Sequence, residues 1–259
     1  MRLLVVDAGN TNVVFGLWEG DTFAGSWRLA TARERTADEY GILARQLLGD
    51  RGPVDAAIVG SVVPPLNGTI RAMLETHFGV EPLFLEPGVR TGLAIQTENP
   101  LEVGADRIAN AVAAHARFGG PTIVVDFGTA TTFDLVSAKG EYRGGIISPG
   151  IGVASEALFA RAARLPRIDV RRPATLIGTN TVASLESGIY YGYLGLVDGI
   201  LERMKREIGD VKAVVATGRP GSSLIEESAH IQHYAPELTL EGLKIVYERH
   251  SARKAKKHA

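Results

Sequence analysis

The chain has 259 residues, 28 Lys+Arg against 29 Asp+Glu, a formal net charge of -1 and no cysteine. Without Cys there is no disulfide scaffold, thiolate nucleophile, zinc ribbon or iron–sulfur cluster, and the near-neutral balance argues against a large nucleic-acid footprint, which needs a domain-wide excess of Lys and Arg. At 45% hydrophobic and 22% charged the chain can bury one large core or two medium ones, and its 30 Gly are the unusual feature.

Taken in order, the apolar run Leu3-Leu4-Val5-Val6 reaches Asp7 too soon for the ~7–15-residue core of a signal peptide. The glycine-rich stretch 188–199 carries Asp198 and falls short of the ~18 apolar residues of a membrane span. We therefore expect a cytoplasmic protein that engages neither membrane nor nucleic acid. A strand ending at Asp7 is followed by a strand over 12–18, a turn at Glu19-Gly20-Asp21 and a strand over 22–27. Helical spacing over 38–48, an apolar strand over 54–63 stopped by Pro64-Pro65, a helix over 70–78 and a strand over 82–85 come next. A helix is expected over 103–118, its main run starting only near Ala105 if Gly104 interrupts it, with Gly119-Gly120 as its stop. Strands follow over 123–126, 131–136 and 142–147, then helices over 153–163 and 181–208, a strand over 213–217 and a helix over 240–249. The basic tail 251–259 reads as a frayed end.

Two stretches repeat. Leu4-Val5-Val6-Asp7-Ala8-Gly9-Asn10-Thr11 is matched by Ile123-Val124-Val125-Asp126-Phe127-Gly128-Thr129-Ala130, and each is followed by strand, hairpin and strand. Two such starts fit two similar α/β domains, 1–118 and 119–250, with the tail after them.

In both copies an Asp ends an apolar strand and precedes Gly and small polar residues. Gly lets the backbone approach an anion, N–H groups and Thr or Asn side chains donate to phosphate oxygens, and the Asp holds a cation. A single D-x-G-N is as readily a β-turn closed by an Asx hydrogen bond; its duplication favours phosphate. A third cluster is Asn99-Pro100-Leu101-Glu102-Val103-Gly104-Ala105-Asp106-Arg107. Asp106 falls in the first turn of a helix, where the dipole keeps a carboxylate ionised. It is either a surface Asp with a solvated Arg, or a base that accepts a hydroxyl proton beside an anchor for an anionic substrate. Gly144-Gly145-Ile146-Ile147-Ser148-Pro149-Gly150 either closes over phosphate or marks a close approach of backbones. Gly188, Gly192, Gly195 and Gly199 line one helix face, against intrinsic propensity, and point to domain or subunit packing. His230 and His233 lack a third ligand, and neither a Gly-x-Ser-x-Gly elbow nor a Walker motif is present.

The duplicated loops resemble those of the acetate kinase, sugar kinase, Hsp70 and actin superfamily. Within it, the ordered set Asp7-Ala8-Gly9-Asn10-Thr11-Asn12, Gly104-Ala105-Asp106-Arg107, Asp126-Phe127-Gly128-Thr129-Ala130-Thr131 and residues 144–150 resembles type III pantothenate kinases, with Asn180-Thr181 and residues 238–243 also fitting. The resemblance implies two ribonuclease H-like domains related by duplication, each a mixed sheet with helices, and an active-site cleft between them. It implies ATP-dependent phosphorylation of pantothenate, the first step of coenzyme A synthesis, with Mg²⁺ and K⁺ or NH₄⁺, in a homodimer with sites at the subunit interface. Carried over, Asp7, Ala8, Gly9, Asn10, Thr11, Asn12, Val13 and Val14 form the first phosphate loop and Thr129 contacts ATP. Asp126 binds the monovalent cation, while Gly104, Ala105, Asp106, Arg107 and Thr181 hold pantothenate, with Asp106 as proton acceptor. The chain departs from the family in two places. Thr217-Gly218-Arg219-Pro220 stands where Thr-Gly-Gly is usual, and Thr97 where Tyr is common. A kinase of another small hydroxylated substrate, or a non-enzymatic regulator on the same fold, is the alternative; retention of Asp7, Asp106 and Asp126 speaks for the enzyme.

Overall fold

The computed structural model describes residues 1–162, 164–219 and 222–258. It divides into two units, Met1–Ala113 with Leu238–Ala259, and Ala114–Glu237. In chain order the elements are β1 (Arg2–Ala8), β2 (Asn12–Glu19), β3 (Thr22–Ala30), α1 (Ala37–Leu48), β4 (Ala56–Ser61), α2 (Asn67–Phe78), β5 (Pro82–Phe84), β6 (Ala94–Ile95) and α3 (Ala105–Phe118). There follow β7 (Thr122–Phe127), β8 (Ala130–Val136), β9 (Glu141–Pro149), α4 (Ile151–Arg161), α5 (Thr181–Ile208), β10 (Ala213–Gly218), α6 (Ser222–Glu227), β11 (His233–Tyr234) and α7 (Leu238–His258). Short 3₁₀ turns precede α2 and α3.

In the first unit the sheet order is β3-β2-β1-β4-β5. The antiparallel meander comes from the hairpins, and the parallel β1–β4 and β4–β5 pairs from the α1 and α2 crossovers. Central β1 is buried on both faces, as its unbroken apolar run requires. Leu4, Val6 and Ala8 pack with α1 and α2 through Tyr40, Ala44, Ile70 and Met73. Leu3 and Val5 pack with α3 and α7 through Ile108, Ala109, Val112, Leu240 and Leu243. A capping box starts α1: the Thr36 N–H donates to Glu39 Oε2 at 2.7 Å and the Glu39 N–H to Thr36 Oγ1 at 3.2 Å.

The closing helix lies flat because small residues face it. A Cβ at Gly16 or Gly60 would stand 2.9 Å from Leu240 or 3.0 Å from Leu243, and one at Gly242 would stand 1.9 Å from the Ala109 carbonyl oxygen. Thr239 donates to Oδ1 of buried Asn110 at 2.8 Å. Lys244 reaches Asp21 at 3.0 Å and Glu248 at 2.8 Å, over the Trp18 ring at 5.1 Å. The helix also runs on to His258 through residues expected to fray, since Ala, Lys and Arg are strong helix formers and no Gly or Pro interrupts them.

In the second unit the strands run β11-β10-β7-β8-β9, with β7 antiparallel to β8 and parallel to β10. Ile123, Val125, Phe127, Phe133, Val214 and Ala216 pack against Tyr190, Tyr193, Val197, Leu201 and Met204 of α5. Both units are thus α/β with mixed sheets. The helix expected over 153–163 forms as α4 two residues earlier; Ala163 lies outside the described residues. No helix among the described residues is long and apolar enough to cross a membrane.

Candidate active site

The two repeated loops fold as matching turns that differ by one residue. Asp7 pairs with Val14 and Ala8 with Val13 across the first turn, and the Gly9 N–H donates to the Asn12 carbonyl at 2.9 Å. Asp126 pairs with Thr132 and Phe127 with Thr131 across the second, where the Gly128 N–H donates to the Ala130 carbonyl at 3.0 Å. The repeat therefore slips by one position just after its aspartates. Thr31 Oγ1 donates to the Gly9 carbonyl at 2.7 Å and fixes the first loop from outside. Asn10 and Thr11 are exposed, as are Gly128 and Thr129, while both aspartates are half-buried at strand ends and Ala8 and Val13 are buried beneath the first loop.

Each loop lies at the carboxyl end of a strand that has a parallel neighbour, β4 for β1 and β10 for β7. In open α/β sheets that edge is where ligands bind. By alternation Asp7 shares the sheet face of Leu3 and Val5, the face on which α3 packs.

The third cluster resolves into a 3₁₀ turn capped by Asn99, whose side chain accepts from the Leu101 N–H at 3.2 Å, and then α3. Gly104 does delay the helix to Ala105. Asp106 is half-buried in the first turn, and its Oδ1 accepts the Arg107 N–H at 2.8 Å. A Cβ at position 104 would stand 2.5 Å from that same Oδ1. Behind the turn, Val103, Ala105 and Ile108 border a cavity of about 360 Å³ walled by Leu85, Val89 and Leu93. Asp106 and Arg107 are not part of that apolar wall.

Thr181 opens α5, exposed, with Asn180 as its N-cap accepting from the Ala183 N–H at 2.9 Å. The stretch 144–150 is mostly strand β9, and Gly150 packs on the second loop: its N–H donates to the Thr129 carbonyl at 3.0 Å, and a Cβ there would meet the Gly128 carbonyl at 2.3 Å. Close backbone approach accounts for that glycine. His230 faces Lys205 while His233 stacks on Phe118, so the two do not converge. Among the described residues no group of three or more His, Cys, Asp or Glu converges as a metal site.

Sequence reasoning missed two hydroxyls. Thr97 Oγ1 and Thr217 Oγ1 are buried without a protein partner. Thr217 is paired in parallel register with Asp126, so their side chains share one face of the sheet. Only strand register could have revealed that neighbour. Arg219 is exposed, and its N–H donates to the Phe127 carbonyl at 3.2 Å; Pro220 lies outside the described residues.

The sequence model of type III pantothenate kinases matches residues 3–203. The chain belongs to the type III pantothenate kinase family. Type III pantothenate kinases of Myxococcus xanthus and Moorella thermoacetica are 52% and 51% identical to it, each over 96% of this chain and 99% and 100% of theirs. Among solved structures, the activator of the 2-hydroxyisocaproyl-CoA dehydratase from Clostridium difficile, with bound ADPNP, covers 100% of this chain and 98% of its own at TM-score 0.55 and 10% identity. A ROK family glucokinase from Streptomyces griseus, in complex with glucose and AMPPNP, covers 97% and 100% at TM-score 0.54 and 12% identity. Those two likenesses show a shared fold, as expected for a member of the sugar kinase, Hsp70 and actin superfamily.

Proposed function

We propose that this chain transfers the γ-phosphoryl group of ATP to the primary hydroxyl of pantothenate, giving 4′-phosphopantothenate in the cytoplasm. The observation that carries the reading is the fit of Gly104 to the Asp106 carboxylate within a family-specific motif. Asp106 orients the substrate hydroxyl and accepts its proton. Phosphoryl transfer is loose and largely dissociative, so orientation and charge neutralisation matter more than base strength, and a carboxyl of ordinary acidity suffices. Arg107 offers a planar, permanently charged partner to the substrate carboxylate, and Gly104, Ala105 and Thr181 complete its contacts.

Residues 7–14 cradle the phosphates: Gly9 admits close approach, and Asn10 and Thr11 are exposed. Thr129 contacts ATP. Mg²⁺ bound with the nucleotide neutralises phosphate charge. The Asp126 carboxylate and the unsatisfied Thr217 hydroxyl, neighbours in register, are hard oxygen donors that fit K⁺ or NH₄⁺. We read both units as ribonuclease H-like halves of one duplication, from their matching meanders and parallel partners.

The same reading makes the protein a homodimer. Leu176 and Ile177 are 67% and 81% exposed, Val182 is exposed one residue after Thr181, and Gly188, Gly192 and Gly195 leave open space along α5. Leu176 is held to the helix by Ser187 Oγ, which donates to its carbonyl at 2.5 Å. An apolar, small-residue face of this kind suits a second copy of the chain.

ADP release with ATP and Mg²⁺, with and without pantothenate, at high and low K⁺, tests the activity. Pantothenate-dependent ADP is expected; none under any of these conditions would overturn it in favour of a regulatory protein on the same fold.

A further inference from the structure

We propose that Tyr193 is a positioning residue for the second phosphate loop, holding Gly128-Thr129-Ala130 in place through its two flanks, Phe127 and Thr131. The inference rests on the reading that this loop contacts ATP.

The loop contributes little to its own shape. The Gly128 N–H donates to the Ala130 carbonyl across it, and Gly128 and Thr129 are exposed. Both flanks of the loop end on Tyr193. On one side Phe127 places its ring 6.4 Å from the Tyr193 ring. On the other, the hydroxyl of Thr131, fully buried, is hydrogen-bonded to the Tyr193 hydroxyl.

A third support comes from the start of α4. Gly150, just before α4, donates its N–H to the Thr129 carbonyl at 3.0 Å. The helix start thus holds the loop backbone directly, beside the Thr131 anchor. The platform behind them is the 28-residue helix α5.

Core packing does not account for the hydroxyl. Tyr193 belongs to the apolar core cluster that includes Phe127 and Val197, where a phenylalanine ring would bury the same surface. Burial pushes the Tyr193 hydroxyl pKa up, against the lowering effect of the Thr131 hydrogen bond, so it is held neutral and able to donate. A buried polar group retained with its partners satisfied specifies geometry more than it adds stability.

Tyr193→Phe keeps the ring and removes the bond. KM for ATP is expected to rise about tenfold while KM for pantothenate stays within about twofold of wild type. Thr131→Val should do the same, the double variant should be no worse than either single one, and Thr131→Ser, which keeps the hydroxyl, should restore wild-type values. Thr129→Ala is measured alongside. If it raises KM for ATP and Tyr193→Phe does not, the positioning role is overturned and the loop reading stands. If Thr129→Ala also leaves KM for ATP unchanged, the loop reading falls and takes the inference with it. A Tyr193→Phe protein whose melting temperature falls and whose two KM values rise together would make Tyr193 a core residue only. Should that variant not fold, the contrast between Thr131→Val and Thr131→Ser decides, and equal KM values for ATP in those two would overturn the role.

Discussion

Gly104 and Asp106 occupy each other's space: a Cβ on the glycine would stand 2.5 Å from Oδ1 of the aspartate, which also accepts the Arg107 N–H. The glycine thus admits the carboxylate's rotamer. Gly104→Ala should push the Asp106 side chain off that position and lower kcat roughly tenfold or more, since small misplacements at a reacting centre are costly. Its melting temperature should stay close to wild type, because the strain is relieved by moving one side chain. Steady-state kinetics beside a thermal melt checks both halves.

Asp106→Ala should depress turnover by roughly 100-fold or more in a folded protein, the usual loss of a general base. Wild-type turnover in that variant would remove Asp106 from the chemistry.

Thr217→Val tests the cation site. The hydroxyl is buried without a protein partner, a state that costs roughly 1–3 kcal/mol. The isosteric valine should leave the protein as stable as wild type, or more so, in buffer free of K⁺ and NH₄⁺, and should raise the K⁺ concentration that gives half-maximal activity. An unchanged K⁺ requirement would exclude Thr217 as a ligand.

Lys244 gives a pH-dependent prediction. Burial pulls its pKa down, but hydrogen bonds and charge from Glu248 and Asp21 outweigh that and leave it raised. A cation whose folded pKa lies above the unfolded value of ~10.4 contributes stability fully below that value and loses it as pH rises through the folded pKa. The gap in melting temperature between wild type and Lys244→Met should be constant up to about pH 10 and shrink above it. A gap independent of pH to 12 would show that packing over Trp18, not charge, is what the lysine contributes.

Ile177→Asp places a charge on the exposed apolar face beside α5. Light scattering should show a dimer for wild type and a monomer for the variant. Its activity should fall with dissociation, since Thr181 opens the same helix.

The aspartates, the glycines and their order were legible because they are local: a strand end, a turn without a Cβ and a small polar residue lie within a few residues of one another. The hairpins and most helices were legible for the same reason, from alternation, 3.6-residue periodicity and stop residues such as Gly119-Gly120 and Pro64-Pro65. The one-residue slip between the two turns was not, because Asn12-Val13 and Thr131-Thr132 look alike until strand register aligns Asp7 with Val14 and Asp126 with Thr132.

The sequence by itself thus determined the chemistry and the family, since both reside in short contiguous motifs. Only the tertiary structure decided which distant residues serve those motifs. It brought the last helix back onto the first sheet through Gly16 and Gly60, set the Thr217 hydroxyl beside Asp126 by parallel register, and tied Tyr193 to Thr131. Contacts of that kind depend on how strands pair and helices pack across long separations, and no local pattern encodes them.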